Sequence, residues 1–252
     1  MDQRERRLYL IRELLREQNS NMVIPEDQKE QEKLLRALMN ERRPAPITPE
    51  FERIQNEYLN QFIGERGITR ITQLQEIEED LYLWRGDITT LEVDGIVNAA
   101  NKTLLGCFIP GHHCIDNAIQ TFAGIQLRLT CDELVKRRGY EEPTGSAVIT
   151  SAFNLPSRYV IHTVGPIVDD EVTKQDRIDL KSCYQSCLEL ADEQNLSSLA
   201  LCSISTGAFG FPKKEGAQIA VDTVREYKKN SSLKIVFNVY SEEDEGIYRE
   251  LL

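Results

Sequence analysis

Long apolar runs are missing from this sequence of 252 residues. No stretch approaches the roughly 20 apolar residues that cross a bilayer, and no apolar run resembling a signal peptide follows the charged N-terminus. We therefore expect a cytoplasmic protein without a membrane-spanning segment. Internal repeats and low-complexity tracts are also absent, and 40% hydrophobic with 28% charged residues is typical of a folded globular protein.

An excess of positive charge is lacking as well. The chain has 30 Lys and Arg against 41 Asp and Glu, and its formal net charge is -11. Binding of nucleic acid requires clustered Lys and Arg side chains that neutralise phosphates. The composition therefore excludes a broad nucleic-acid interface, although backbone N–H groups in loops can still hold a small anion.

Histidine is scarce, which makes its distribution informative. Two of the three histidines, His112 and His113, lie in the short run from Cys107 to Cys114, which also holds two of the six cysteines. Thiolate and imidazole are ligands that Zn²⁺ prefers, so both cysteines and one histidine would supply two sulfurs and one nitrogen. Three protein ligands without a fourth nearby are typical of a catalytic or ligand-binding metal. The alternative is a reduced pair of cysteines in an ordinary loop.

The first 75 residues carry three helical patterns. Apolar residues recur at helical spacing over 3–18 and 27–43, and the sequence Thr48-Pro49-Glu50 begins a third helix that runs to about Ile63. Three short helices with narrow apolar stripes have little core of their own. We predict that residues 1–75 form a helical extension packed on a main domain of residues 76–252.

The main domain alternates short β-branched runs with helical patterns, which predicts an α/β fold with a mixed, mostly parallel sheet covered on both faces. The predicted strands are Leu81–Trp84, Gly95–Asn98, Ala147–Thr150, Tyr159–Thr163, Leu199–Ile204 and Ile235–Tyr240. The predicted helices are Ile115–Arg138, Asp176–Gln194, Lys213–Lys229 and Glu242–Leu252. His162 lies within an apolar strand, which favours a buried core histidine over a ligand.

Five motifs follow one another in this domain: LWRGDIT (83–89), DGIVNAAN (94–101), PTGSAVIT (143–150), RYVIHTVGP (158–166) and SISTGAFGFP (203–212). In this order the set resembles the macrodomain, an ADP-ribose-binding module with a three-layer α/β/α fold. The Cys/His run resembles that of the zinc-dependent macrodomains of microbial protein-ADP-ribose hydrolases. Their pattern G-C-F-x-P-x-H-x-C aligns its histidine with His112 and leaves His113 as the variable residue.

The resemblance implies a ligand site, with Asp87 and the Ile88 backbone holding adenine and Asn101 placing the distal ribose. Asn98 fits two roles, a contact with the sugar or a structural amide that fixes the strand to the loop after it. The residues implied to surround the rest of ADP-ribose are Cys114, Ile115, Asp116, Ser205, Thr206, Gly207, Ala208, Phe209, Gly210 and Phe211. Gly207 and Gly210 fit a phosphate loop, since glycine allows positive φ and close backbone approach. Phe211 is either a stacking aromatic or a hydrophobic plug.

Asp116 and Asn101 are the expected catalytic residues, with Zn²⁺ held by Cys107, His112 and Cys114. Asp116 would orient the attacking water, and its position at a helix N-terminus predicts a lowered pKa and an ionised carboxylate. Its simpler interpretation is a helix N-cap.

These residues together predict a hydrolase that removes mono-ADP-ribose from protein side chains. The alternative is a non-catalytic reader of ADP-ribose whose zinc is structural. The resemblance further implies, as a partner, a lipoylated carrier protein that a sirtuin-type ADP-ribosyltransferase modifies.

Overall fold

The computed structural model describes residues 1–252. At the centre of the fold lies a seven-stranded sheet. In chain order the nine strands are β1 (Thr69–Arg70), β2 (Glu76–Glu78), β3 (Leu81–Arg85), β4 (Leu91–Glu92), β5 (Gly95–Ala99), β6 (Ala147–Ser151), β7 (Tyr159–Thr163), β8 (Ser198–Leu201) and β9 (Lys234–Val239). The eight helices are α1 (Gln3–Glu17), α2 (Gln28–Glu41), α3 (Pro49–Arg66), α4 (Ile115–Ala123), α5 (Ile125–Arg138), α6 (Lys174–Glu193), α7 (Lys213–Lys228) and α8 (Glu242–Leu251).

The strand order of the large sheet is β2-β3-β9-β8-β5-β7-β6. The five inner strands are parallel, and the edge strands β2 and β6 run antiparallel to their neighbours. Parallel neighbours place their carboxyl ends at one edge of the sheet, where open α/β sheets bind ligands. The loops after β3, β5, β7, β8 and β9 therefore converge on that edge.

Two hydrophobic cores lie on opposite faces of the sheet because successive side chains of a buried strand point to opposite faces. On β5, Ile96 packs with α4 and α5, and Val97 packs with α6, α7 and α8. On β9, Val236 belongs to the first core, and Ile235 and Phe237 belong to the second. The predicted three-layer α/β/α fold with a mixed, mostly parallel sheet is confirmed.

Helices α1 to α3 add to the α4/α5 layer. Apolar side chains of α1, α2 and α3 share one buried cluster with α4, α5 and the sheet, including Leu10, Leu35 and Ile54, each 2% exposed or less. Asp2, Asp27 and Thr48 cap the three helices. Helices α1 to α3 therefore pack against α4, α5 and the sheet.

The predicted continuous helix Ile115–Arg138 is wrong, because the chain breaks at Gly124 between α4 and α5. Gly124 has φ +99, and a Cβ there would lie 2.5 Å from Oε1 of Gln126 and 2.7 Å from Nε2 of Gln55. Only glycine fits this close approach. The short strands β1, β2 and β4 carry too few residues to produce a periodic pattern, and the sequence did not predict them.

Candidate active site

A cleft of about 560 Å³ opens at the carboxyl edge of the parallel strands. Its walls come from the loops after β5, β7, β8 and β9 and from the start of α4. Most of the site residues predicted from the sequence line it: Asn101, Cys107, His112, Cys114, Ile115, Asp116, Ser205, Thr206, Gly207, Ala208 and Phe209. Residues from two distant segments of the sequence thus meet in one cavity.

Residues 106–114, here called the metal loop, bring three ligand atoms together. One ligand atom each from Cys107, His112 and Cys114 lies within 4.8 Å of the other two. His112 Nδ1 lies 3.4 Å from Cys107 Sγ. His113 lines the cleft without joining this group. The arrangement suits a metal ion with two sulfur ligands, one nitrogen ligand and an open position.

Backbone N–H groups are directed at both sulfurs. Ile109 N donates to Cys107 Sγ, and Asn117 N donates to Cys114 Sγ, each at 3.4 Å. Burial raises the pKa of Cys114 to about 11, and the charge of Asp116 adds to this effect although the bond from Asn117 opposes it. The free thiol is therefore protonated near neutral pH, and a metal ion would have to displace its proton.

Asp116 lies on the first turn of α4, but it is not the N-cap. Cys114 occupies that position, so the interpretation of Asp116 as a cap is wrong. The predicted lowering of its pKa is also wrong. Burial raises the pKa of Asp116 to about 6, and this outweighs the bond from Asn98 and the charge of Arg128. Asp116 is only 6% exposed, and its loss of hydration raises the pKa more than the helix N-terminus lowers it. A metal cation beside it would lower the pKa again.

The two asparagines after β5 have different surroundings. Asn101 lines the cleft, and its side chain joins the loop by donating to Gly106 O at 2.9 Å and accepting from Thr103 Oγ1 at 2.7 Å. Asn98 is fully buried and donates to Asp116 Oδ1 at 2.9 Å. The structure therefore favours the structural role for Asn98, which holds the side chain of Asp116.

The loop after β8 presents free backbone donors to the cleft. The N–H groups of residues 206–209 make no hydrogen bond within the protein. Ser205 starts this turn with φ +62, and its buried Oγ has no partner. Successive unpaired N–H groups form a concave site for an anion without any basic side chain.

The glycines of this loop differ from expectation. Gly210 has φ +74, and a Cβ there would meet Val168 O at 2.7 Å, whereas Gly207 has no positive φ and open space around its Cβ position. The expected positive φ of Gly207 is therefore wrong. Phe211 is 1% exposed inside the α6/α7/α8 core, away from the cleft, and the plug interpretation describes its position. Gly210 does not line the cleft either.

Asp87 and Ile88 lie outside the cleft walls. Ile88 is buried, while Asp87 accepts from Thr89 N at 2.9 Å and pairs with Arg66 of α3. Burial raises the pKa of Asp87, but the bonds from Thr89 and the charge of Arg66 outweigh it, so the pKa is lower than usual. Asn238 Nδ2 donates to Gly86 O at 3.0 Å and ties this turn to β9.

Sequence reasoning missed several residues of the site. Tyr240 follows β9, lines the cleft and is 79% exposed, so its ring offers an open aromatic face. Its position at the end of the predicted strand Ile235–Tyr240 was the available signal. Lys213 and Asp244 also line the cleft and form an ion pair at 3.0 Å. Nothing in the sequence indicated the contacts that α2 makes with the metal loop.

Comparison with known proteins agrees with this geometry. Residues 97–220 match the Macro domain family. A protein from Treponema medium named "Protein-ADP-ribose hydrolase" is 52% identical, and the alignment covers 100% of both chains. The chain is a macrodomain.

Solved macrodomain structures share its fold. The Oceanobacillus iheyensis macrodomain with ADP is 40% identical, with a TM-score of 0.64 over 71% of this chain and 93% of that one. The Trypanosoma brucei macrodomain in complex with ADP-ribose is 26% identical, with a TM-score of 0.66 over 85% of this chain and 94% of that one. None of this macrodomain's helices combines the length and apolar character that a membrane crossing needs.

Proposed function

We propose that this macrodomain is a protein-ADP-ribose hydrolase that breaks the bond between a protein side chain and the anomeric carbon of the distal ribose. The observation that carries the proposal is the meeting of Cys107, His112 and Cys114 with Asp116 in one cleft. The 52% identical relative is named for this activity, and its whole length aligns with this chain. A glycosidic or ester-type linkage at that carbon is the bond that would be cleaved.

The cluster fits Zn²⁺ by three features. Two thiols and an imidazole are its preferred donors, their ligand atoms lie within 4.8 Å, and N–H groups already face both sulfurs. Zn²⁺ bound there would polarise a ribose or leaving-group oxygen, or lower the pKa of a water molecule.

Asp116 is proposed to orient the attacking water or a ribose hydroxyl. Its Oδ1 is occupied by Asn98, whereas its Oδ2 makes no hydrogen bond within the protein. The residue lines the cleft, so Oδ2 is the group available to a ligand. Asn98 holds the carboxylate in place and leaves one oxygen free to accept a proton.

The rest of ADP-ribose would follow the carboxyl edge of the sheet. The free N–H groups of 206–209 would hold the diphosphate, which explains how an acidic protein can bind a dianion. Asn101 would place the distal ribose next to the metal loop. Asp87 and the Ile88 backbone would hold adenine once Asp87 shares or exchanges its bond with Arg66. The open ring of Tyr240 is available for stacking on the base.

The test is the release of free ADP-ribose from a mono-ADP-ribosylated protein, measured by chromatography. We expect release by the zinc-bound protein, loss of release after chelation, and recovery when Zn²⁺ is added back. The variant His113→Ala is the matched control and should behave like the wild type. Tight binding of ADP-ribose without release would identify a reader instead.

The modified protein is a separate question. We propose a lipoylated carrier protein, modified by a sirtuin-type transferase, as the substrate, an expectation that comes from the family resemblance alone. Parallel assays on this carrier and on an unrelated ADP-ribosylated protein would test it. Equal release from both would remove the carrier as the specific substrate.

A further inference from the structure

Helix α2 of the extension reaches the metal loop directly. We propose that Arg36 and Asn40 are positioning residues that hold the metal loop in the shape that binds the ion. The inference rests on the proposed function, because it assumes that Cys107, His112 and Cys114 hold zinc.

Asn40 fixes the backbone just before the histidine ligand. Its Oδ1 accepts from Gly111 N at 2.9 Å, and its Nδ2 donates to Thr121 Oγ1 on α4 at 2.8 Å. The side chain is 1% exposed, so water does not compete for these bonds. Both ends of the amide are thus occupied, one by the loop and one by the helix that carries Asp116.

Arg36 connects the other parts of the loop. Its Nη2 donates to His112 O and to Asn117 Oδ1, both at 3.0 Å. The Asn117 side chain in turn donates to Cys107 O at 3.4 Å and Ile109 O at 3.2 Å. The Arg36 guanidinium therefore holds the carbonyl of His112 directly. Through the amide of Asn117 it also holds the carbonyl of Cys107.

Phe108 supplies a third link between α2 and the loop. Two guanidinium groups lie near its ring, that of Arg43 at 4.1 Å and that of Arg128 at 4.5 Å from the ring centre. Arg128 also donates to the carbonyls of Asn40 at 2.8 Å and Arg42 at 2.7 Å. The buried Arg128 guanidinium therefore contacts both the end of α2 and Phe108 of the metal loop. The attraction between a cation and an aromatic ring is strong where water is excluded.

These contacts join residues far apart in the sequence: Asn40 and Gly111 are 71 positions apart, and Arg36 and His112 are 76 apart. The metal loop itself contains no helix or strand, and its cysteine and histidine ligands would have to be gathered at an entropic cost in a free loop. Outer groups that orient metal ligands typically change metal affinity about 10–100-fold. The extension is therefore part of the metal site.

The test measures transfer of zinc from the folded protein to a chromogenic chelator, together with hydrogen exchange of residues 106–113. We expect Asn40→Ala and Arg36→Met to release zinc about 10-fold faster or more and to exchange faster in the metal loop. Asn40→Asp keeps an oxygen for Gly111 N–H and should release zinc more slowly than Asn40→Ala.

Two control variants separate loop positioning from general loosening. Lys33→Ala lies on the exposed face of α2, and its ion pair is with Glu30. Asn56→Ala removes bonds from Gln126 and Asn154 that dock α3 on the main domain away from the loop. Both should release zinc at the wild-type rate.

Unchanged release in both Arg36→Met and Asn40→Ala would overturn the inference and leave the proposed hydrolase intact. Equal acceleration by Asn56→Ala would also overturn it, because docking alone would then explain the effect. A wild-type protein that binds no zinc would overturn both this inference and the metal of the proposed function.

Discussion

Asn98 donates a hydrogen bond from Nδ2 to Oδ1 of Asp116 across 2.9 Å, in the buried layer behind the cleft. The same Nδ2 lies 3.1 Å from His162 Nδ1, which must therefore accept, so the ring proton is on Nε2. Nε2 lies 2.9 Å from Thr150 Oγ1. Burial lowers the pKa of His162 to about 4, so the ring stays neutral. A chain of neutral polar groups from β6, β7 and β5 thus positions the carboxylate.

Asn98→Ala should impair both stability and turnover. Removing the amide leaves buried polar groups of Asp116 and His162 without a partner, which costs about 1–3 kcal/mol of folding free energy. It also frees the Asp116 carboxylate to rotate, so the rate of ADP-ribose release should fall. Thermal melting and single-turnover release measure the two effects.

Thr150→Val is the matched control at the far end of the same chain. It should lower stability but keep turnover close to that of the wild type, because Asn98 still holds Asp116. Equal loss of turnover in the two variants would show that stability alone accounts for the effect.

Gly210→Ala should weaken binding of free ADP-ribose more than Gly207→Ala does. A Cβ at Gly210 meets Val168 O at 2.7 Å and the residue has φ +74, whereas the Cβ position of Gly207 is open. Distorting the loop at Gly210 moves the free N–H groups of 206–209 away from a common point. Titration calorimetry gives both affinities, and stronger weakening by Gly207→Ala would mean that the bound loop differs from the free one.

The two adjacent histidines should differ in their effect on metal content. His112→Ala removes a ligand from the cluster and should abolish stoichiometric zinc, while His113→Ala should keep it. Elemental analysis of protein purified without added metal checks this. The reverse outcome would make His113 the ligand.

Asp116→Ala should lower the release rate by about 100-fold or more, as expected for a positioned acid–base group. The residue is outside the metal cluster and Cys114 caps α4, so zinc and the helix should both remain. Single-turnover rates and zinc content are measured on the same sample. Normal turnover in a folded, zinc-containing variant would remove Asp116 from the catalytic residues.

Much of this site could be predicted because its residues follow strands whose patterns are local. Asn101 follows β5 and the 205–209 loop follows β8, and parallel pairing brings these positions to one edge. The three candidate ligands of the metal loop lie within eight consecutive residues, so their proximity also needs no tertiary information.

The predictions that were wrong concern features that depend on residues distant in the sequence. The pKa of Asp116 reflects burial under side chains from other elements, which the helix-terminus argument ignored. The break at Gly124 lies against the side chains of Gln55 on α3 and of Asn154, which are both distant in the sequence. The contacts of Arg36 and Asn40 with the metal loop likewise join segments more than 70 positions apart. Local periodicity carries no information on such contacts.

The most direct test of the central claim returns Zn²⁺ in steps to the metal-stripped protein and measures metal content and ADP-ribose release on each sample. If Cys107, His112 and Cys114 hold the catalytic ion, the release rate should rise in proportion to bound zinc and stop rising at one zinc per chain. Binding of free ADP-ribose should persist in part without zinc, since the loop after β8 and Asp87 lie outside the metal cluster. Full-rate release by the zinc-free protein would contradict the account.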